Sequence, residues 1–306
     1  MQKNSDLDGA IKSYEKAITF KSDWAYPYFN LAGAFQEKGD LNKAIENYEA
    51  ALAIDFNYEI ARAQKLHQQA KISDWESISQ ELEFIPLLGT RTQGIPPFTL
   101  LSLEDAPARH RLRSEVYSSK TWPQRPIPLE TRATAKRAKL RIGYFSADFY
   151  NHPISFLSVQ MLRLHDRNKF EVYAYAFGPD KDDEMTDRIK KSVDVFKDIR
   201  KLTDKQAALM AREDEIDIAV DLTGIMDGSR LGIFAYRVAP VQVNYLACAS
   251  SIGADFIDYI VADHFCIPVD YQEFYSENII YLPNCYQVND NTRKVSERIF
   301  TREEMG

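Results

Sequence analysis

The spacing of apolar side chains changes once along this chain, and the change divides it. From Leu7 to Leu82 apolar residues recur every three or four positions, as on one face of a helix. Trp24, Ala25, Tyr28, Leu31, Ala32 and Phe35 predict one helix, and Leu41 to Ile54 the next. Ile60, Ala63, Leu66 and Ala70, then Trp75, Ile78 and Leu82, predict two more. After Leu140 short apolar runs alternate with helical stretches. The runs begin at Leu140, Phe170, Val193, Ile216, Val241, Ile257 and Ile279. Between them 155–164, 182–191, 203–213 and 229–237 predict helices, with Thr203 as a cap. Such alternation implies a parallel sheet with helices on both faces, and runs apolar on both sides agree with it.

The helical part repeats itself. Ser5 to Ile18 aligns with Gly39 to Leu52 at an offset of 34 residues, bringing Ala10 onto Ala44, Tyr14 onto Tyr48 and Ala17 onto Ala51. That period with small residues at fixed points is the tetratricopeptide signature. One complete unit follows one without its first helix. Such units bury their faces only against neighbours, so further repeats are expected before Met1. The repeats serve either as a partner-binding groove or as a spacer packed on the next domain. Seven of the 13 prolines fall between Pro86 and Pro128, which marks a linker, with one helix expected at 107–118. The expected domains are 1–70 (repeats), 71–135 (helical and proline-rich connector) and 136–306 (sheet lobe).

A chain of 306 residues suits about two domains. Its net charge of −7 argues against a general nucleic-acid binder, which needs clustered cations. Arg132, Lys136, Arg137 and Lys139 do cluster, either on phosphate or at a solvated strand start. The first residues carry no leader, and no apolar run approaches the roughly eighteen residues of a membrane span. Cys248, Cys266 and Cys285 form neither a CxxC pair nor an even disulfide set, which points to a reducing, cytoplasmic setting. Cys248 reads as a nucleophile or as a small buried group.

Candidate chemistry gathers at the end of the first strand. Leu140 to Phe145 stops abruptly, and Ser146, Asp148, Asn151 and His152 crowd in before Pro153, a helix-starting residue. Ligands of open parallel sheets bind beyond the strands' carboxyl ends. His152 there is a base or a cap for the next helix. Asp221, before Thr223-Gly224, orients a base or sugar hydroxyl, or else caps its own turn. Asp180-Lys-Asp182 matches a short metal-binding string but reads better as an acidic loop, so no metal site is expected. Gly143 is expected to admit a close backbone neighbour. Neither a Gly-x-Gly-x-x-Gly nor a Walker loop occurs.

The string Leu140-Arg-Ile-Gly-Tyr-Phe-Ser-x-Asp-Phe-x-Asn-His-Pro153 resembles the opening of the catalytic region in the O-linked N-acetylglucosamine transferase and SPINDLY-like family, glycosyltransferase family 41. So do Val220-Asp-Leu-x-Gly224, Arg230 to Gln242, Ile257 to Asp263, Tyr275 to Pro283 and Cys285 to Asp290. The resemblance implies repeats followed by the amino-terminal, Rossmann-like lobe of a GT-B pair. It implies transfer of N-acetylglucosamine from UDP-GlcNAc to Ser or Thr of proteins, inverting and metal-independent, with no cofactor. It makes His152 the candidate base on the acceptor side. The alternatives are fucose transfer from GDP-fucose and a non-catalytic scaffold. The resemblance also places the second lobe, with most of the nucleotide site, after residue 306. The chain alone is then expected neither to turn over nor to hold UDP tightly. Where the family has Leu-Gly-Tyr-Pro-Gly-Thr-x-Gly near the donor sugar, this chain has Leu246-Ala-Cys-Ala-Ser-Ser-Ile-Gly253, so Ala247, Ser250, Ser251 and Gly253 stand on the donor-sugar side. A second histidine common in the family is replaced by Phe156.

Overall fold

A computed structural model describes residues 6–91, 93–127, 137–294 and 297–305. The helical part comprises α1 (Leu7–Phe20), α2 (Ala25–Lys38), α3 (Leu41–Ile54), α4 (Glu59–Lys71) and the short α5 (Trp75–Ser79). Asp6, Asp40 and Asp74 cap α1, α3 and α5 through their carboxylates, and Gly39 ends α2 in the left-handed region, φ 82°. Ala32, Ala44, Ala51 and Ala61 are fully buried, so α2, α3 and α4 pack closely around Tyr48. The helix expected near Leu82 is only five residues long, and the chain continues as turns through Phe84.

The proline-rich stretch is more ordered than its composition suggests. Its helix α6 (Pro107–Thr121) sends a fully buried Arg113 back to the carbonyls of Leu88 (2.8 Å) and Ile85 (2.6 Å) and to Glu104. A buried guanidinium with every side satisfied holds a segment that has few backbone donors of its own. Helix α6 also meets the sheet lobe: Ser118 Oγ donates to Ile252 O (2.5 Å) and Arg111 to Glu273 O (2.6 Å).

Seven parallel strands form one sheet: β1 (Leu140–Ser146), β2 (Phe170–Ala176), β3 (Val195–Asp198), β4 (Ile218–Asp221), β5 (Val241–Asn244), β6 (Tyr259–Ala262) and β7 (Asn278–Tyr281), in the order 3-2-1-4-5-6-7. Alternate residues of β1 face opposite layers. Ile142 and Tyr144 pack with α7 (Pro153–Leu164) and α8 (Glu184–Ser192), while Phe145 packs toward α9 (Asp204–Glu213). Thr203 and Gln206 complete a capping box at α9.

Two expectations need correction. Residues 229–237 make turns and one 3-10 turn (Phe234–Tyr236), not a helix; Gly228 (φ 80°) and Arg237 (φ 59°) adopt left-handed backbone that a helix excludes. Side chains rather than backbone crowd Gly143, where a Cβ would meet Tyr175 at 3.0 Å. Backbones do touch at Gly178, where a Cβ would lie 1.5 Å from Ala147 O. Of the basic cluster, Arg132 and Lys136 lie outside the described residues. Arg137 pairs with Glu215 and Asp217 at the start of β4, as a strand-start role requires.

Candidate active site

Strand order reverses at β1. β2 and β3 lie on one side, β4 to β7 on the other, so the loops after β1 and β4 flank the crevice that opens at such a reversal. Both loops bring polar residues there. Ala147 N donates to Thr223 Oγ1 (3.1 Å), which ties one loop to the other.

The β1 loop is held at every turn. Asp148 N donates to Ser146 Oγ (2.9 Å), Ser155 Oγ to Asp148 O (2.5 Å), and Asn151 N to the α8 cap Asp183 (2.8 Å). This bracing presents His152, whose side chain is 34% exposed. Its Nδ1 accepts from Ile154 N at 3.3 Å and lies 3.6 Å from Asp148 Oδ1. Nε2 has no hydrogen-bond partner among the described residues. The histidine therefore caps α7, as one sequence reading has it, and keeps its other ring nitrogen unpartnered on a side chain about one-third exposed. Two tautomers separate the roles. With Nδ1 accepting, the proton sits on Nε2. With the proton on Nδ1, it points toward Asp148 and leaves Nε2 with a lone pair. Burial pushes the Asp148 carboxyl above its ordinary range, and the nearby His152 charge opposes that push. Sequence reasoning placed Asp148 in the cluster without giving it this role; its four-residue spacing from His152 was the available signal.

Asp221 is 1% exposed. It accepts from Gly224 N (2.6 Å) and Thr223 N (3.3 Å), so it caps its own turn. Burial pushes its carboxyl up to about 7, the two amides pull the other way, and the Asp148 charge adds to the rise. It thus supports the loop that carries Thr223, and it lies behind the surface rather than on it. Beside it Asn244 is fully buried, with Oδ1 unpaired near Gly224, a polar group that the sequence did not single out.

The β5 loop is differently built. Leu246 adopts φ 83°, a strained value for a leucine. Ala247 is half-buried against the sheet core, and Ser250 Oγ meets Cys248 Sγ at 2.9 Å. Ser251 is buried: its hydroxyl donates to Glu277 (2.8 Å) and Ile252 N does the same (2.6 Å). Gly253 sits at φ 68°, and a Cβ there would lie 2.3 Å from Glu115 N of α6. Ser251 is thus engaged with Glu277, and Gly253 packs against the α6 backbone. In the acidic string Asp180 pairs with Arg200 and Asp182 with Lys190. Among the described residues no three acidic, histidine or cysteine side chains gather as metal ligands. A cavity of about 420 Å³, lined in part by Tyr150, Lys181, Phe196 and Arg200, opens at the same edge beyond β1 to β3.

An open parallel sheet with its order reversed at β1, and a histidine on the loop that follows that strand, defines a Rossmann-like lobe. Residues 119–303 match the sequence pattern of glycosyl transferase family 41, and residues 25–58 that of a tetratricopeptide repeat. The chain belongs to glycosyl transferase family 41. It is 38% identical over 168 residues to the probable UDP-N-acetylglucosamine–peptide N-acetylglucosaminyltransferase SEC of Arabidopsis thaliana, covering 55% of this chain and 17% of that protein. It is 31% identical over 169 residues to the corresponding transferase of Caenorhabditis elegans, covering 54% and 15%. A solved mutant of the Thermobaculum terrenum O-GlcNAc transferase superposes with a TM-score of 0.61 at 25% identity, covering 92% of this chain and 48% of that one. The chain thus spans less than a fifth of the length of these two curated relatives.

Proposed function

We propose that this chain supplies the repeats and the acceptor-side lobe of a protein O-glycosyltransferase. The reaction moves N-acetylglucosamine from UDP-GlcNAc to a Ser or Thr hydroxyl, with inversion, as half of a GT-B arrangement and in the cytoplasm. The observation that supports this most is His152: half-exposed at the strand-order reversal, free at Nε2, with Asp148 behind Nδ1. In the productive tautomer Asp148 accepts from Nδ1–H. Nε2 takes the proton of the acceptor hydroxyl as its oxygen bonds to the anomeric carbon and the bond to the diphosphate breaks. Protein acceptors reach the crevice with the help of the helical repeats.

The test is transfer by the protein that carries this chain together with its sugar donor site. His152→Ala should lower kcat by about 10²- to 10⁴-fold, the range for losing a positioned base. Asp148→Asn should lower it less and alter the pH profile, since it acts through the imidazole. Unchanged transfer by His152→Ala would remove the base assignment. The commitment of Ser251 and Gly253 to packing favours a second reading, a scaffold that retains the fold but not the transfer. Absence of transfer by the wild type, with either UDP-GlcNAc or GDP-fucose, would select it.

A further inference from the structure

The three cysteines, far apart in sequence, follow three adjacent strands. Cys248, Cys266 and Cys285 each lie four residues beyond the last residue of β5, β6 and β7. Equal overhang matters only where strands end at the same level. β6 and β7 do, with Ala262 opposite Tyr281 and Leu282 N donating to Ala262 O (2.8 Å). β5 does not, because its last residue Asn244 pairs with Ile260, short of the end of β6.

The overhanging segments of β6 and β7 are also clasped together. One oxygen of the Asp263 carboxylate accepts from Cys266 N (2.8 Å) and Phe265 N (2.9 Å), the other from Tyr286 N (2.7 Å). Strand pairing ends at Ala262 and Tyr281, and the chain turns beyond it, so the shared Asp263 carboxylate is what holds the two segments together there. The clasp keeps Cys266 and the residue after Cys285 on one carboxylate. Both thiols are exposed, whereas Cys248 is half-buried and hydrogen-bonded to Ser250.

We propose that Cys266 and Cys285 form a reversible oxidation site that closes to a disulfide across the carboxyl ends of β6 and β7. A hydroperoxide is the oxidant. The Cys285 thiolate attacks a peroxide oxygen, the O–O bond breaks, and a sulfenic acid and hydroxide result. The Cys266 sulfur then attacks that sulfenyl sulfur. The S–S bond forms, the S–O bond breaks, and the departing hydroxide takes the Cys266 proton. Two thiols and one hydrogen peroxide yield one disulfide and two waters. Burial and then the Asp263 charge hold the Cys266 thiol above its ordinary range, which suits it to the second step rather than the first. The closed bond would fix the loop after β7 to the turn after β6, beside Tyr275 and Glu277, which brace the β5 loop at Ala249 O and Ser251.

The experiment uses the 306-residue chain, reduced and then exposed to hydrogen peroxide, with thiol trapping and peptide mass mapping. The expected product links the peptides of Cys266 and Cys285, leaves Cys248 trapped as a free thiol, and reverts with dithiothreitol. In Cys266→Ser, Cys285 should instead accumulate as sulfenic and then sulfinic acid. Oxidation of both thiols without a link would overturn the proposal, as would a link that uses Cys248. Circular dichroism of Cys266→Ser, expected to match wild type, separates lost chemistry from lost fold. The outcome does not depend on sugar transfer.

Discussion

Two loops leave the same edge of one sheet and use their polar groups in opposite ways. The β1 loop is braced by its backbone and by Ser146, Ser155 and Asp183, which leaves the His152 imidazole free at one nitrogen. The β5 loop turns inward, with Ser251 Oγ and Ile252 N bonded to Glu277 and Gly253 packed closely against the α6 backbone. The lesson is that a polar loop at a strand's carboxyl end is not yet a site. What makes one is a rigid support that satisfies every group except the one presented.

The largest effect expected to sharpen this contrast is in Asp221, beneath the crevice. Its folded-state carboxyl, pushed up to about 7, lies above the unfolded value near 3.8. The folded protein therefore holds a proton that the unfolded chain releases. The stability this adds is complete below pH ~4 and is lost as pH rises through ~7, by up to about 4 kcal/mol. Denaturant unfolding from pH 4 to 8 should show this decline in wild type and a shallower one in Asp221→Asn; equal slopes would place the carboxylate in water. Next comes the β5 loop. Gly253→Ala puts a Cβ against Glu115 N and strains a left-handed residue, so a loss of about 3 kcal/mol is expected in the same assay. A neutral result would mean that α6 does not press on that loop. Smallest is His152→Ala in stability, about 1 kcal/mol or less, since it removes only a long cap to Ile154 N. A loss as large as that for Gly253→Ala would show the imidazole to be structural.

Much of the lobe was legible because buried parallel strands leave uninterrupted apolar runs, and all seven expected runs are strands. His152 could be placed at the sheet edge because Pro153 marks where α7 begins. The residues that sequence missed depend on relations across the sheet. Asp148 reaches His152 through the curl of a loop, which no periodicity encodes. The burial of Asp221 follows from neighbours on β1 and β5. Gly253 could not be seen to face α6, because that contact joins segments more than 130 residues apart, as the 134-residue separation of Ser118 and Ile252 illustrates. The 229–237 stretch has helical composition, but Arg230 is drawn instead to Asp204 and the carbonyls of Ile199 and Leu202.

Helix α6 has a practical consequence. It sits in what composition marks as a linker, yet Ser118 holds Ile252, the backbone at Ser114 and Glu115 walls in Gly253, and Arg125 N and Ile127 N bond to Ala235 O and Tyr236 O. A scissors cut made at the end of the prolines would strip the sheet of its own flank. Anyone trimming this protein to its smallest autonomous piece should leave residues 107–127 attached to the sheet lobe.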